Sequence, residues 1–156
     1  DEARTMKWEH ITSDTYTITD TKNGEEHTLP ITSTVGKIFD RSRNESEWVF
    51  PGRSGAASMY AVIDRVSKAA GVSFTAHDLR RTAATIAAEH GFSRDQIGRL
   101  LNHKSSNVTE GYIQKTSEML EPILQAIEDD ILAVHEVTDE DMANVEVTDI
   151  AIDSAL

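Results

Sequence analysis

The apolar residues change period near residue 31, and that change limits the folds open to this chain more than any single motif. Upstream, three short runs read as strands: Trp8–Ile11, Tyr16–Thr21 and Glu26–Ile31. Tyr16 and Ile18 alternate with polar neighbours, as one face of a half-buried strand does. Lys22-Asn23-Gly24 separates the second and third runs and marks an Asn-Gly hairpin. Pro30 suits the exit of that hairpin, where a lost N–H donor costs little. Residues 1–8 look like the last turns of a helix.

Downstream the spacing is helical. Val35, Ile38 and Phe39 form one stripe. A short Trp48–Phe50 run and a Pro51-Gly52 break lead to a second, Met59, Ile63, Val66 and Ala70. Leu79, Ala83 and Ile86 form a third, ended by Gly91. Ser93 to Gln96 has the capping-box pattern, with Ile97, Leu100 and Leu101 as the apolar face that follows. Asn102–Asn107 is turn-like and Val108–Ile113 a short helical piece. Leu120, Ile123, Leu124, Ile127, Ile131 and Val134 predict a final amphipathic helix, with Pro122 confined to its first turn. These patterns predict an α+β domain, mostly helical, with a small three-stranded antiparallel sheet near the N-terminus packed on a helical bundle.

Charge divides the chain a second time. The formal net charge is −12, which taken whole argues against a nucleic-acid partner. All 15 basic residues, however, lie between Arg4 and Lys115, and residues 1–117 hold 15 acidic residues, so this body is neutral. Residues 118–156 carry 12 acidic residues and no Lys or Arg. The expected division is a domain over 1–134 and an acidic, solvated tail over 135–156. Zero cysteines exclude a disulfide scaffold, a thiolate metal site and a cysteine nucleophile. No apolar run is long enough to cross a bilayer, and the start lacks a signal-like pattern, which points to the cytoplasm or nucleoid. Asp1 in place of Met leads to the expectation of a fragment, truncated at its N-terminal border.

The residues with most chemistry cluster late: His77, Arg80 and Arg81, then His103, then Tyr112. His77 and Arg80 are three apart and share a helix face. Two imidazoles, a guanidinium and a phenol suit an anionic phosphate centre. Arg forks onto oxygens, His relays protons, and Tyr can attack. Taken singly, each has an ordinary explanation. A lone His caps a helix, a lone Tyr is half-buried core, Arg80-Arg81 is a solvated pair, and Lys22 is an exposed hairpin residue. Only the joint spacing argues otherwise. A metal-dependent phosphoesterase using His77, His90 and His103 is disfavoured, because no His pair has i, i+4 spacing with an accompanying acid.

Four ordered blocks carry a resemblance: EARTMKWEHI, TKNGEEHTLPIT, HDLRRTAAT and LLNHKSSNVTEGYI, over roughly residues 2–113. Together they resemble the C-terminal catalytic domain of tyrosine recombinases, the phage-type integrases. The resemblance implies DNA strand cleavage and rejoining, with Tyr112 attacking the scissile phosphorus to form a 3′-phosphotyrosyl bond. It implies that Lys22 protonates the 5′-leaving oxygen and that Arg80 clamps the non-bridging oxygens. His77 and His103 would bond the phosphate, His77 as general base. No metal or other cofactor is implied. The family's first catalytic arginine would fall just before Asp1, and Arg4 lies on the wrong side of Glu2 to replace it, so this stretch alone lacks one member of the set.

Asn102 stands where the family's Leu-Gly-His block has Gly, a tolerable change because Asn also enters left-handed turns. His10 stands where Asp is common. Implied partners are double-stranded attachment-site DNA, further copies in a tetrameric synapse, and an accessory DNA-bending protein. The implied setting is the nucleoid of a bacterial host carrying a phage or mobile element. Arg53, Arg81 and Lys104 are the leading candidate DNA contacts. Lys37, Arg41, Arg43, Arg65, Lys68, Arg94 and Arg99 form a wider set, several of which must face elsewhere. The alternative is a non-catalytic DNA-binding module, since Gly91 to Leu101 has the look of a helix-turn-helix fragment.

Overall fold

The computed structural model describes residues 3–22, 24–52, 55–103 and 114–134, with the side chains of the last helix described from residue 118. The first expected strand is instead a 3-10 turn, Trp8–His10. Lys7, extended at φ −114°, makes a single antiparallel bridge to Trp48, so residues 3–7 do not form the expected helix end either. Two hydrogen bonds hold that bridge: Trp8 N–H to Glu47 O at 3.1 Å and Val49 N–H to Met6 O at 3.0 Å. After Ile11 the chain reverses at once. The Thr12 hydroxyl accepts from the amides of Asp14 (3.3 Å) and Thr15 (3.0 Å), a local turn that competes with longer pairing. Ile11 therefore contributes one bridge to Tyr16 and no ladder.

The other two runs pair as expected. β1 (Thr15–Ile18) lies antiparallel to β2 (His27–Pro30), with Tyr16 opposite Leu29 and Thr17 opposite Thr28. The two threonine hydroxyls meet across the strands at 2.9 Å. Among the described residues the sheet is thus two-stranded, not three-stranded. A second two-stranded ladder joins β3 (Pro51–Gly52) to β4 (Gly55–Ala56). The expected short run at Trp48–Phe50 leads into it through the Trp48 bridge.

Helices cover the predicted stripes: α1 (Ser33–Arg41), α2 (Met59–Ala70), α3 (Ala76–Glu89), α4 (Arg94–Leu100) and α5 (Gln114–Val134). Val66, Leu79, Ile131 and Val134 of those stripes are nevertheless exposed. Gly91, at φ +83°, takes the left-handed conformation just past α3 that a side chain would resist. α5 starts earlier than its apolar stripe, so Pro122 sits inside it rather than in its first turn. The ring removes the N–H that would bond the Glu118 carbonyl. Pro122 and Glu118 are both exposed, so that carbonyl has water available, while the neighbouring side chains anchor the helix.

Those anchors are Leu120, Ile123 and Ile127, buried with Leu29, Ala87 and Leu100. Leu120 and Ile123 are the most deeply buried large side chains of this cluster, and each such burial stabilises by roughly 1.5–3 kcal/mol. α5 thereby packs against β2, α3 and α4 together. A second cluster, Met6, Phe39 and Val49, joins the N-terminal stretch to α1, with Trp8 and Tyr16 edge-on to Phe39. α2 buries no residue. Among the described residues no helix is long and apolar enough to cross a membrane.

Candidate active site

α3 begins with a capping box. The Thr75 hydroxyl accepts from the Asp78 amide at 3.3 Å, and the Asp78 carboxylate accepts from the Thr75 amide at 3.0 Å. The Thr75 hydroxyl and amide hold the Asp78 carboxyl below its usual range, with Arg81 and His77 adding to the shift. This Thr-x-x-Asp box fixes where α3 starts. His77 then falls in the first turn and is exposed; Arg80, one turn on, is half-buried; Arg81 is exposed.

α4 carries the second box, Ser93 with Gln96, and ends in a Schellman arrangement. Asn102, at φ +50°, occupies the left-handed position expected of it. Its amide donates to Arg99 O at 3.0 Å, and the His103 amide donates to Gly98 O at 2.8 Å. The backbone bearing His103 is therefore folded back on the helix that precedes it. His103 itself is exposed.

Two carbonyls at this helix end are met by side chains from elsewhere. An Arg80 guanidinium nitrogen donates to Leu101 O, which brings α3 and the His103 turn together. His27 Nε2 lies 3.0 Å from Leu100 O, across 73 residues of sequence. A carbonyl only accepts, so Nε2 carries the proton. Cationic or donor side chains also suit this end of a helix, where the macrodipole is negative. His27 is the site-associated residue that local sequence reading missed, because nothing near it signals a partner so distant.

Lys22 lies in the β1–β2 loop and is exposed. The loop, residues 19–26, is longer than a two-residue Asn-Gly turn, yet it has internal structure. The Gly24 amide donates to Thr21 O at 3.0 Å, and the buried Thr21 hydroxyl donates to Glu25 O. Gly24, at φ +78°, closes the turn. The hairpin reaches the α4 end through His27, while no direct bond between Lys22, His77, Arg80 and His103 is described. Tyr112, Arg53 and Lys104 lie outside the described residues, as does the expected helical piece Val108–Ile113.

Several of the wider set of cations have structural partners. Arg43 stacks 4.4 Å from the Trp8 ring centre, Lys68 meets Asp64 at 2.7 Å, and Arg99 meets Asp95 at 2.9 Å. His77 and His90 stand at opposite ends of the 14-residue α3, about 20 Å apart. That separation rules out joint metal ligation by the pair, and His90 Nε2 meets Asp130 of α5 at 3.1 Å. Among the described residues no group of three or more His, Asp or Glu is placed to hold a metal ion.

The arrangement gathers Arg80 and the His103 turn at one helix end, with the Lys22 hairpin tied to the same end. Such a set is suited to holding a phosphate and moving protons around it. The chain matches a family model described as the phage integrase family over residues 1–119. That span takes in the hairpin, α3, α4 and Tyr112. No curated protein shows a significant match to the chain.

Proposed function

The chain belongs to the phage integrase family, and on that footing we propose that it cuts and rejoins DNA strands through a covalent link to Tyr112. The observation that most supports this reading is the capped end of α4, where Arg80 and the turn bearing His103 are joined. Residues 1–134 form the catalytic unit in this reading, and 135–156 an acidic appendage. The phenol oxygen of Tyr112 attacks phosphorus, His77 takes its proton, and the bond to the 5′-oxygen breaks. Lys22 gives that oxygen a proton. Arg80 and His103 hold the non-bridging oxygens, where charge accumulates in the transition state.

The phosphotyrosyl bond conserves the energy of the phosphodiester, so a second strand's 5′-hydroxyl reverses the step without ATP. A phenol suits both directions. With a reference pKa of about 10 it needs a base to attack, yet it leaves readily on return. Double-stranded attachment-site DNA is the proposed substrate, with Arg53, Arg81 and Lys104 as phosphate contacts. Four copies would form the working assembly, with a DNA-bending protein as accessory, in the nucleoid of a bacterial host.

Two described tyrosines supply controls. Burial pushes the Tyr16 phenol up to about 12, whereas Tyr60 is exposed on α2. Incubated with nicked attachment-site DNA and then detergent, the protein should give a covalent adduct. That adduct should vanish in Tyr112→Phe and persist in Tyr60→Phe. Adduct formation by Tyr112→Phe would overturn the assignment. Salt-sensitive binding with no adduct in any variant would favour the non-catalytic DNA-binding module, for which α3, a four-residue turn and α4 offer a helix-turn-helix-like unit.

A further inference from the structure

The last carbonyls of a helix lack partners within it and must find donors elsewhere. In α4 the accounting closes. Ile97 O accepts from Leu101 N–H, Gly98 O from His103 N–H and Arg99 O from Asn102 N–H. Leu100 O and Leu101 O, past the reach of the turn's own amides, accept from His27 and Arg80. Arg80 belongs to the proposed phosphate-binding set. His27 does not, yet it stands on β2, directly after the loop that carries Lys22.

We infer that His27 is a positioning residue: its Nε2–H, bonded to Leu100 O, fixes the Lys22 hairpin against the turn that presents His103. The inference rests on the proposed function for its catalytic meaning. Its physical basis is independent. Leu29, two residues on, is buried in the same apolar cluster as Leu100, and α5 packs on both β2 and α4. Apolar packing through a third element is non-directional and does not by itself orient the loop end of β2 toward the α4 turn. One hydrogen bond with a fixed direction, 3.0 Å long and partly buried, supplies that orientation. A displacement of about 1 Å at a reacting group costs up to roughly a hundredfold in rate, so a strut at the base of the loop matters more than its own bond strength suggests.

The test separates this role from general loss of fold. His27→Leu removes the donor and leaves Leu100 O unmet. His27→Gln places an amide nitrogen about where Nε2 stands and keeps the bond. Two nicked DNA substrates are compared, one with the normal bridging 5′-oxygen and one with sulfur in its place. A thiolate leaves without being protonated, so the sulfur substrate does not call on Lys22. With the oxygen substrate, His27→Leu should slow adduct formation by about tenfold to a hundredfold. With the sulfur substrate the loss should shrink to about twofold, and His27→Gln should recover most of the rate on oxygen.

Amide hydrogen exchange supplies the arm that needs no chemistry. The His103 and Asn102 amides should exchange faster in His27→Leu and return toward wild type in His27→Gln. Equal losses on both substrates, or an unchanged His103 amide, would overturn the inference. Absence of any adduct from the wild-type protein would count against the proposed function alone, and the exchange result would still decide whether His27 ties the two elements.

Discussion

Asn102 does at one residue what the site needs from the end of a helix. Its φ of +50° lets the chain turn back so that the His103 amide reaches Gly98 O, and a residue with an ordinary Cβ resists that conformation. Asn102→Ala should therefore destabilise the protein by about 1 kcal/mol, while Asn102→Gly should cost less than Ala, as urea unfolding would measure. A destabilisation by Gly equal to that by Ala would show that Asn102 acts through its side chain instead. This turn was legible in advance through the resemblance, which has Gly at this position, together with the tolerance of Asn for a left-handed conformation. The Ser93 capping box was legible from a spacing of three, whereas the Thr75 box has Asp where that pattern has Glu or Gln and emerges only in the structure. His27 was not legible either, since its partner carbonyl lies 73 residues away and a backbone carbonyl has no sequence signature.

Among the elements, α5 does most to hold the site-bearing parts in one body, and it does so with carboxylates as well as apolar side chains. Glu128 reaches the start of α1, accepting from the Ser33 hydroxyl at 2.9 Å and from the Thr34 amide at 3.3 Å. Thr32, the N-cap residue, makes no capping bond of its own, so Glu128 takes that role from another helix. Burial pushes the Glu128 carboxyl up, but Thr32, Ser33 and Thr34 beside it outweigh that and hold the group below its ordinary 4.5. A carboxyl depressed by folding stabilises fully above its unfolded value and loses that contribution as pH falls through the folded one. Glu128→Gln should thus cost about 0.5–1 kcal/mol at neutral pH, and the gap to wild type should close below pH 4.5. Thermal unfolding at the two pH values would show it, and a gap that persisted in acid would mean the charge contributes nothing. The stripe of α5 was readable in the sequence, but its start was not. Pro122 argued for a helix beginning near 120, and the burial of Leu120, Ile123 and Ile127 against three other elements outweighed one missing hydrogen bond. The N-terminal strand failed for the converse reason, because a hydroxyl-bonded turn at Thr12 took the backbone before a third strand could pair.

At the scale of the whole molecule, the charge partition bears on binding rather than on fold. The neutral body, with all 15 basic residues, holds the site elements, and the net −12 arises beyond residue 117. Residues 135–156 contribute seven of those carboxylates and follow directly on α5, which packs on the site-bearing elements. The tail begins about one turn after Asp130, which meets His90 at the end of α3 away from His77. Should its charges reach the proposed phosphate-binding surface, they compete with DNA for the same field, over a distance set by the Debye length. Removing residues 135–156 leaves Leu120, Ile123 and Ile127 in place, so the core should remain intact. DNA affinity of the shortened protein should rise at low salt, and its advantage should fade toward about 0.3 M salt as screening shortens the reach of the tail. For about six phosphates contacted, both proteins should also lose several decades of affinity between low and moderate salt. A full-length protein with Gln and Asn in place of the seven tail carboxylates provides the matched control, because it keeps chain length and removes only charge. If that protein binds like wild type at low salt, the tail does not shield the surface. A flat salt response in all three would go further and remove phosphate contact from the account of how this domain meets DNA.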